Sequence, residues 1–229
     1  MKSKSVYLYL VIAALLAAVY VFLKPNVNDN TAELINMPWQ VEAQDDGSSL
    51  ALGIHLGHTT VRQVIEFLDQ DHELAIISNQ QDHSGLELYY SHYRAGPLKA
   101  KLIISVQAEQ KELFAMQERA KASSYVASGA RKFALSREDY LRIQNWVVDA
   151  LELIPSAGFD DQLIRNLFGE PQKVIAFDDK TQLYFYPNVG MAITLNEDSK
   201  EVIQYVEPRF SDRLINKANQ TPLDTTETN

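Results

Sequence analysis

The sequence has no cysteine among its 229 residues. This absence excludes disulfide bonds, a lipid-bearing cysteine, a thiol nucleophile and metal sites built from thiolates. The sequence also lacks the G-x-S-x-G motif of serine hydrolases, the H-E-x-x-H motif of zinc peptidases and the ligand spacing of an EF-hand. It therefore predicts a protein that is not an enzyme, and no cofactor is expected.

Positive charge is scarce. The chain has 21 Lys and Arg against 30 Asp and Glu, which gives a formal net charge of −9. A protein this acidic is not attracted to phosphate backbones or to anionic lipid headgroups. Nucleic acid is therefore not expected as a partner.

One long hydrophobic run is present, at residues 6–23, and it carries no charge. A helix of this length is about 27 Å long, close to the ~30 Å hydrocarbon core of a bilayer. The run therefore predicts a single-pass anchor in a bacterial inner membrane. Because Lys2 and Lys4 precede the run, the N-terminus is expected in the cytoplasm and the C-terminal part in the periplasm. A cleaved signal peptide is the alternative, but the run is longer than a usual signal core.

Polar segments rich in Asn, Asp and Ser border the part of the chain that can fold. The predicted division is a cytoplasmic N-terminus (1–5), a transmembrane signal anchor (6–23), a polar linker (24–38), a first α+β unit (39–107), a second α+β unit with leading helices (108–210) and a disordered tail (211–229).

The two predicted units share the order helix, strand, strand. In the first, apolar residues within 61–68 recur at helical spacing, and the alternating runs 86–93 and 98–106 predict strands. In the second, residues 163–168 predict a helix. The strands expected after that helix are 182–187, 190–195 and 201–208.

The connection between the units, residues 108–153, is predicted to be mostly helical. Ser136 and Asp139 have the spacing of a capping box, and apolar residues recur at helical spacing from Tyr140 to Leu151. The predicted fold class is therefore α+β, with an N-terminal transmembrane helix followed by two related units of helices and antiparallel sheet, arranged as a tandem repeat.

The ends of the two predicted helices carry short turn signals. A Gly-x-Thr turn opens the first helix, and Leu-x-Gly-x-Pro closes the second. These motifs resemble the signature of the SmpA/OmlA (BamE-like) domain. The matching residues are Gly57, Thr59 and Leu68 in the first unit and Leu167, Gly169 and Pro171 in the second.

This resemblance covers about half of the exported chain. It implies small units of two helices and three strands, like those of BamE-like domains and the tandem β-lactamase inhibitory proteins, which are non-enzymatic and bind other proteins. The first unit departs from the signature, because Asp69-Gln70-Asp71 stands where Gly-x-Pro is expected.

Two histidines, His55 and His58, lie three residues apart in the stretch HLGHTT. Histidines at this spacing can share a metal ion when both lie on one helical turn. Here Gly57 lies between them and the stretch precedes the helix, so we expect a structural turn in which Gly57 supplies the backbone conformation and Thr59 or Thr60 caps the helix. No metal site is predicted. The acidic pairs 45–46, 160–161 and 178–179 are interpreted in the same way, as turns and helix caps.

The candidate binding residues are tyrosines. Strand alternation places Tyr89 and Tyr93 on one face of the first sheet, and Tyr184 and Tyr186 on one face of the second. If the leucine faces pack on the helices, these four rings are displayed on the outer sheet surface. The alternative is that tyrosine merely suits half-exposed strands.

These observations together predict a membrane-anchored, periplasm-facing module that binds and assembles other proteins of the cell envelope. The predicted partners are envelope proteins of unknown identity, and the inner membrane through the N-terminal helix. Two alternatives remain open: a domain that senses a small ligand or envelope stress, and a hydrolase whose site is not recognisable from sequence.

Overall fold

The computed structural model describes residues 35–79, 83–126 and 128–218 of the chain. These ranges contain thirteen β-strands and five short α-helices. The strands are β1 (Glu42–Ala43), β2 (Ser49–Ala51), β3 (Ile54–His55), β4 (Glu73–Ser78), β5 (Ser84–Ala95), β6 (Leu98–Val106), β7 (Ala122–Tyr125), β8 (Arg131–Ala134), β9 (Val148–Pro155), β10 (Lys173–Ala176), β11 (Thr181–Tyr186), β12 (Met191–Asn196) and β13 (Val202–Val206). The helices are α1 (Val61–Leu68), α2 (Gln110–Glu118), α3 (Arg137–Arg142), α4 (Asp161–Phe168) and α5 (Asp212–Ala218).

The strands form two sheets. Ten of them make one antiparallel sheet in the order β10-β11-β12-β13-β9-β6-β5-β4-β8-β7, and β1, β2 and β3 make a small second sheet. The predicted α+β fold, with two related helix-plus-sheet units behind a transmembrane helix, is therefore wrong. The described chain is mostly β-sheet, and strands from both predicted units belong to one continuous sheet.

Strand β9 explains why the prediction failed. Its residues were expected to be helical, but the helical turns end at Asn145 and residues 148–155 form a strand. Leu151, Leu153 and Pro155 alternate as buried residues, and the strand pairs with β6 on one side and with β13 on the other. Because apolar residues at 148, 151 and 153 fit both a helix and a strand, the sequence pattern alone could not separate the two.

The described part of the chain contains no helix that is both long and apolar enough to cross a membrane. The predicted transmembrane signal anchor, residues 6–23, lies outside the described residues, as do the predicted cytoplasmic N-terminus and most of the predicted linker. The predicted transmembrane helix is not found among the helices of the described residues.

The inner face of the large sheet carries the main core. The small sheet and helices α1, α2 and α4 cover this face with apolar side chains, among them Leu56, Val64, Met116 and Ile164. Tyr205 on β13 is fully buried there and donates a hydrogen bond from its hydroxyl to the carbonyl oxygen of Pro38 at 2.8 Å. Since a buried hydroxyl needs a partner, this bond fixes the segment before β1 to the core.

The described residues cover the outer face of the large sheet over part of its width. Leu214 of α5 packs on Leu183, Phe185 and Val206, which makes a second, smaller core over strands β11 to β13. Helix α5 lies within residues 211–229, which the sequence placed in a disordered tail. Leu214 is buried against the sheet, and this apolar contact explains why residues 212–218 form a helix.

A buried carboxylate joins helices α2 and α3. Asp139 is 1 % exposed and accepts hydrogen bonds from Arg119 at 2.6 Å and from the Ser136 hydroxyl at 2.7 Å. Burial by itself raises the pKa of Asp139, but the bonds from Arg119 and Ser136 outweigh it, so the pKa lies below its usual value of 3.8.

The substitution Asp139→Asn should lower the free energy of unfolding by about 1–3 kcal/mol at neutral pH, because two charge-assisted bonds are weakened. A carboxyl whose pKa is depressed by folding stabilises the protein above its unfolded-state pKa, and that stability is lost as pH falls through the folded-state pKa. The difference between wild type and variant should therefore shrink below pH 3.8 in urea denaturation curves. Glu73→Gln, in the exposed ion pair with Lys132, is the control and should cost less than about 1 kcal/mol. A pH-independent difference would contradict the prediction.

Gly190 stands at a tight contact before β12. Its φ is +66°, and a Cβ at this position would lie 2.0 Å from the carbonyl oxygen of Val206. Gly169, which ends α4, has a similar φ of +79° but open space around its missing Cβ. Both glycines have a positive φ, but Gly190 is left-handed with a ψ of +37°, whereas Gly169 has an extended ψ of −176°. They also differ in steric room.

We expect Gly169→Ala to lower the free energy of unfolding by about 1–3 kcal/mol, because a positive φ with an extended ψ is a conformation essentially restricted to glycine. Gly190→Ala should cost more than about 4 kcal/mol, since backbone atoms must also move apart. Urea denaturation of the two variants gives both values. Equal losses would show that the close approach to Val206 does not matter.

Candidate functional site

The first pair of predicted binding tyrosines does not share a face. Tyr89 is half-buried, while Tyr93 is 3 % exposed and lies in the main core. A β-bulge between Tyr90 and Tyr93 shifts the register against β6, so that Tyr93 joins Tyr90 on the inner face. Burial raises the pKa of Tyr93 to about 12.

The second pair of predicted binding tyrosines is also in the core. Tyr184 is fully buried and Tyr186 is 4 % exposed. The Tyr184 hydroxyl donates to Asp161 at 2.7 Å, and the Tyr186 hydroxyl donates to the carbonyl oxygen of Gly169 at 3.0 Å. Burial, and for Tyr184 the bond to Asp161, raises the pKa of both tyrosines to about 12. The predicted outer surface with four tyrosines therefore does not form.

Tyr89 lies in a groove on the uncovered part of the outer face. On the sheet it stands opposite Glu73 of β4 and Ile103 of β6. The groove has a volume of about 350 Å³. Its lining residues are Glu73, Ala75, Ile77, Glu87, Tyr89, Ile103, Val126, Ser128 and Lys132.

The groove combines an apolar floor with a charged rim. Ala75, Ile77 and Ile103 form the floor beside the Tyr89 ring, and Lys132 and Glu73 form an ion pair at 2.9 Å on the rim. An apolar pocket with a few polar groups is typical of sites that bind a ligand or a partner's side chain. We therefore take the groove as the candidate binding site.

One wall of the groove continues into an open sheet edge. Val126 follows β7 directly, and β7 is the last strand of the sheet, paired with β8 alone among the described strands. All four residues of β7 are exposed, and none carries a charge. An exposed edge without charges or proline is a surface on which another extended chain can pair.

A cluster of metal-ligating side chains lies elsewhere, at the small sheet. Nε2 of His58 and Nε2 of His55 are 3.0 Å and 3.8 Å from the same carboxylate oxygen, Oδ2 of Asp46. The two imidazole rings stack with their centroids 4.3 Å apart. Asp46, His55 and His58 are the one set of three His and acidic ligands found close together among the residues that the structure describes.

Ser48 holds the carboxylate of this cluster in place. Its backbone N–H donates to Oδ1 of Asp46 at 3.0 Å, and its hydroxyl contacts both that oxygen and Nε2 of His55. The bonds from Ser48, with a smaller contribution from the histidines, hold the pKa of Asp46 below its usual value. Asp46 therefore directs its second oxygen, as an anion, toward the histidines.

The turn residues lie where the helices begin and end. Gly57 has φ of +79°, and a Cβ on it would meet the carboxylate of Glu207 at 2.8 Å. Thr60 caps α1 in a capping box with Gln63, while Thr59 accepts a hydrogen bond from the His55 backbone N–H at 3.0 Å. Gly169 ends α4, and the half-buried Pro171 follows two residues later.

Sequence reasoning missed the third member of the histidine cluster. The sequence argued against a metal ion shared by His55 and His58, because Gly57 lies between them and the stretch precedes the helix. The structure brings the two rings together through a tight turn instead. Asp46 comes from the turn between β1 and β2, and only the pairing of the small sheet brings it near. The polar, glycine-containing stretch 44–48 was the available signal, but it does not specify the pairing.

No protein-family model, no curated protein and no solved structure matches the chain. The resemblance to the SmpA/OmlA domain therefore stays a prediction from short motifs. The same holds for the predictions that the protein is not an enzyme and that its C-terminal part is periplasmic.

Replacing a buried tyrosine should destabilise the fold more than replacing Tyr89. Tyr184→Ser removes a fully buried ring and its bond to Asp161, so the free energy of unfolding should fall by about 3–5 kcal/mol. Tyr89→Ser, at a half-buried ring, should cost well under half of that. Chemical denaturation of both variants measures the difference. Similar losses would place the Tyr89 ring in the core as well.

Proposed function

We propose that this chain is a non-enzymatic module that binds another protein through the Tyr89 groove. The observation that carries the proposal is the half-buried Tyr89 ring beside the apolar floor of Ile77 and Ile103. Tyrosine combines a large contact area with a hydroxyl and few rotatable bonds, and it is enriched at the centres of protein interfaces.

The charged rim of the groove favours a partner that presents an apolar side chain flanked by polar groups. Lys132 and Glu73 are both partly exposed and form their ion pair beside the opening. A bound apolar side chain would displace water from the floor, while its neighbours could hydrogen-bond to the rim. The groove thus selects by shape and by the arrangement of charge.

The open edge of β7 supports an extended partner segment. A chain lying along residues 122–125 reaches Val126 in the groove wall at the end of the strand. Backbone hydrogen bonds to such an edge provide affinity that does not depend on sequence, and the groove would provide specificity. A partner in the cell envelope and a periplasmic location stay predictions of the sequence.

The proposal is tested with a photo-crosslinking amino acid at the exposed rim residue Ser128, in the full chain expressed in its native cells. One protein species should be captured, and Tyr89→Ser should reduce its yield at least tenfold, which corresponds to about 1.4 kcal/mol of binding free energy. The matched control is Tyr140→Ser, at an exposed tyrosine of α3 outside the groove, and it should leave the yield unchanged.

Two results would overturn the proposal. The first is that no defined species is captured at Ser128. The second is that capture is equal in the Tyr89→Ser and Tyr140→Ser variants, because the contact would then not depend on the groove.

A small ligand is the second candidate occupant. The groove volume of about 350 Å³ lies within the range of about 300–1,000 Å³ found for small-molecule sites. Native mass spectrometry of gently purified full-length protein separates the two candidates. A small-molecule adduct that Tyr89→Ser removes supports the sensor function over the protein-binding function.

A further inference from the structure

We propose that Asp46, His55 and His58 form a binding site for one divalent transition-metal ion of the zinc type. The site lies on the small sheet and its turns, and it uses none of the residues that line the groove. The inference is therefore independent of the proposed protein-binding function.

The geometry needs little change to admit an ion. The three ligand atoms lie within 4.8 Å of one another, and Asp46 Oδ2 already stands 3.0 Å from His58 Nε2. Donors bound to one zinc ion at ~2.0–2.2 Å in tetrahedral geometry lie about 3.3 Å apart. Both imidazole rings are partly exposed, so their rotation is the movement by which the remaining difference would close.

Surrounding contacts hold two of the three ligand residues, Asp46 and His55. Ser48 engages Oδ1 of Asp46, which leaves Oδ2 for the ion. The His55 backbone is held on both sides by Thr59, because its N–H donates to the Thr59 hydroxyl and its carbonyl accepts from the Thr59 N–H at 2.8 Å. A hydrogen bond to a ligating carboxylate, as from Ser48 to Asp46, fixes ligand orientation and raises metal affinity, and the backbone bonds fix the position from which the His55 ring extends. The ion would replace the Ser48 hydroxyl as the partner of His55 Nε2.

The donor set selects the class of ion. Two imidazole nitrogens and one carboxylate oxygen favour Zn²⁺, Fe²⁺, Ni²⁺ or Cu²⁺ over Ca²⁺ and Mg²⁺, which prefer oxygen ligands. The side chains of Asp46, His55 and His58 are 46 %, 34 % and 54 % exposed, so the ion would face solvent. Three protein ligands leave at least one coordination position open, to water or to a donor from a partner.

Zinc binding by the full chain without a polyhistidine tag tests the site. Isothermal titration with ZnCl₂ should give one ion per chain, and His58→Ala and Asp46→Asn should each weaken binding at least tenfold. Both side chains are exposed, so the variants should keep the circular dichroism spectrum of the wild type. Zinc should also raise the thermal midpoint of the wild type, and this rise should be absent in the double variant His55→Ala/His58→Ala.

The matched control removes two exposed histidines outside the cluster. His83→Ala/His92→Ala deletes the same number of imidazoles and should leave stoichiometry and affinity unchanged. Absence of stoichiometric zinc in the wild type would overturn the proposal. Equal weakening by the control and by the cluster variants would also overturn it, since binding would then be diffuse.

Discussion

Strand β9 is hydrogen-bonded along both of its edges, to β6 over residues 148–155 and to β13 over residues 150–153. Without it the chain would contain two separate meanders, β4-β5-β6 and β10 to β13, each with an open edge. A central strand such as β9 pairs with the open edges of both neighbouring strands, and its side chains alternate between the two faces of the sheet. The apolar residues of β9 have a spacing that fits a helix as well as a strand. Their pairing with β6 and β13 decides that they form a strand, and the fold depends on that outcome.

The ten-stranded sheet that β9 completes is larger than the layers that pack on it, so its outer face is covered less fully than its inner face. The five α-helices of the described residues are each six to nine residues long, which is too short to cover both faces of ten strands. The inner face receives the small sheet, α1, α2 and α4, and the outer face receives α5 over strands β11 to β13. What remains partly open is the surface around Tyr89 and Ile103. Among the described residues, the groove is thus a place where the large sheet lacks a covering layer and apolar side chains stay partly accessible.

Sequence reasoning located the local elements better than their assembly. The alternating run 98–106 coincides with β6, and the helical spacing at 61–68 coincides with α1 and its threonine cap. It could not predict the bulge that turns Tyr93 inward, because a bulge depends on the partner strand and leaves no periodic signal. Nor could it predict that Tyr184 faces the main core. Both faces of β11 are buried, so alternation there does not separate inside from outside.

The histidine turn is attached to the same central strand. The Gly57 N–H donates to the Val148 carbonyl at 2.8 Å, and the Val148 N–H donates to the Thr59 carbonyl at 2.9 Å. His55 and His58 are therefore held by the beginning of β9, whereas Asp46 stands on an exposed turn of the small sheet. Because the backbone of His55 and His58 is already held in place, these two residues lose little conformational entropy on binding an ion. Most of the entropy loss comes from ordering the turn that carries Asp46. An ion at this position would thus fix the turn between β1 and β2 against the strand that joins the two halves of the sheet.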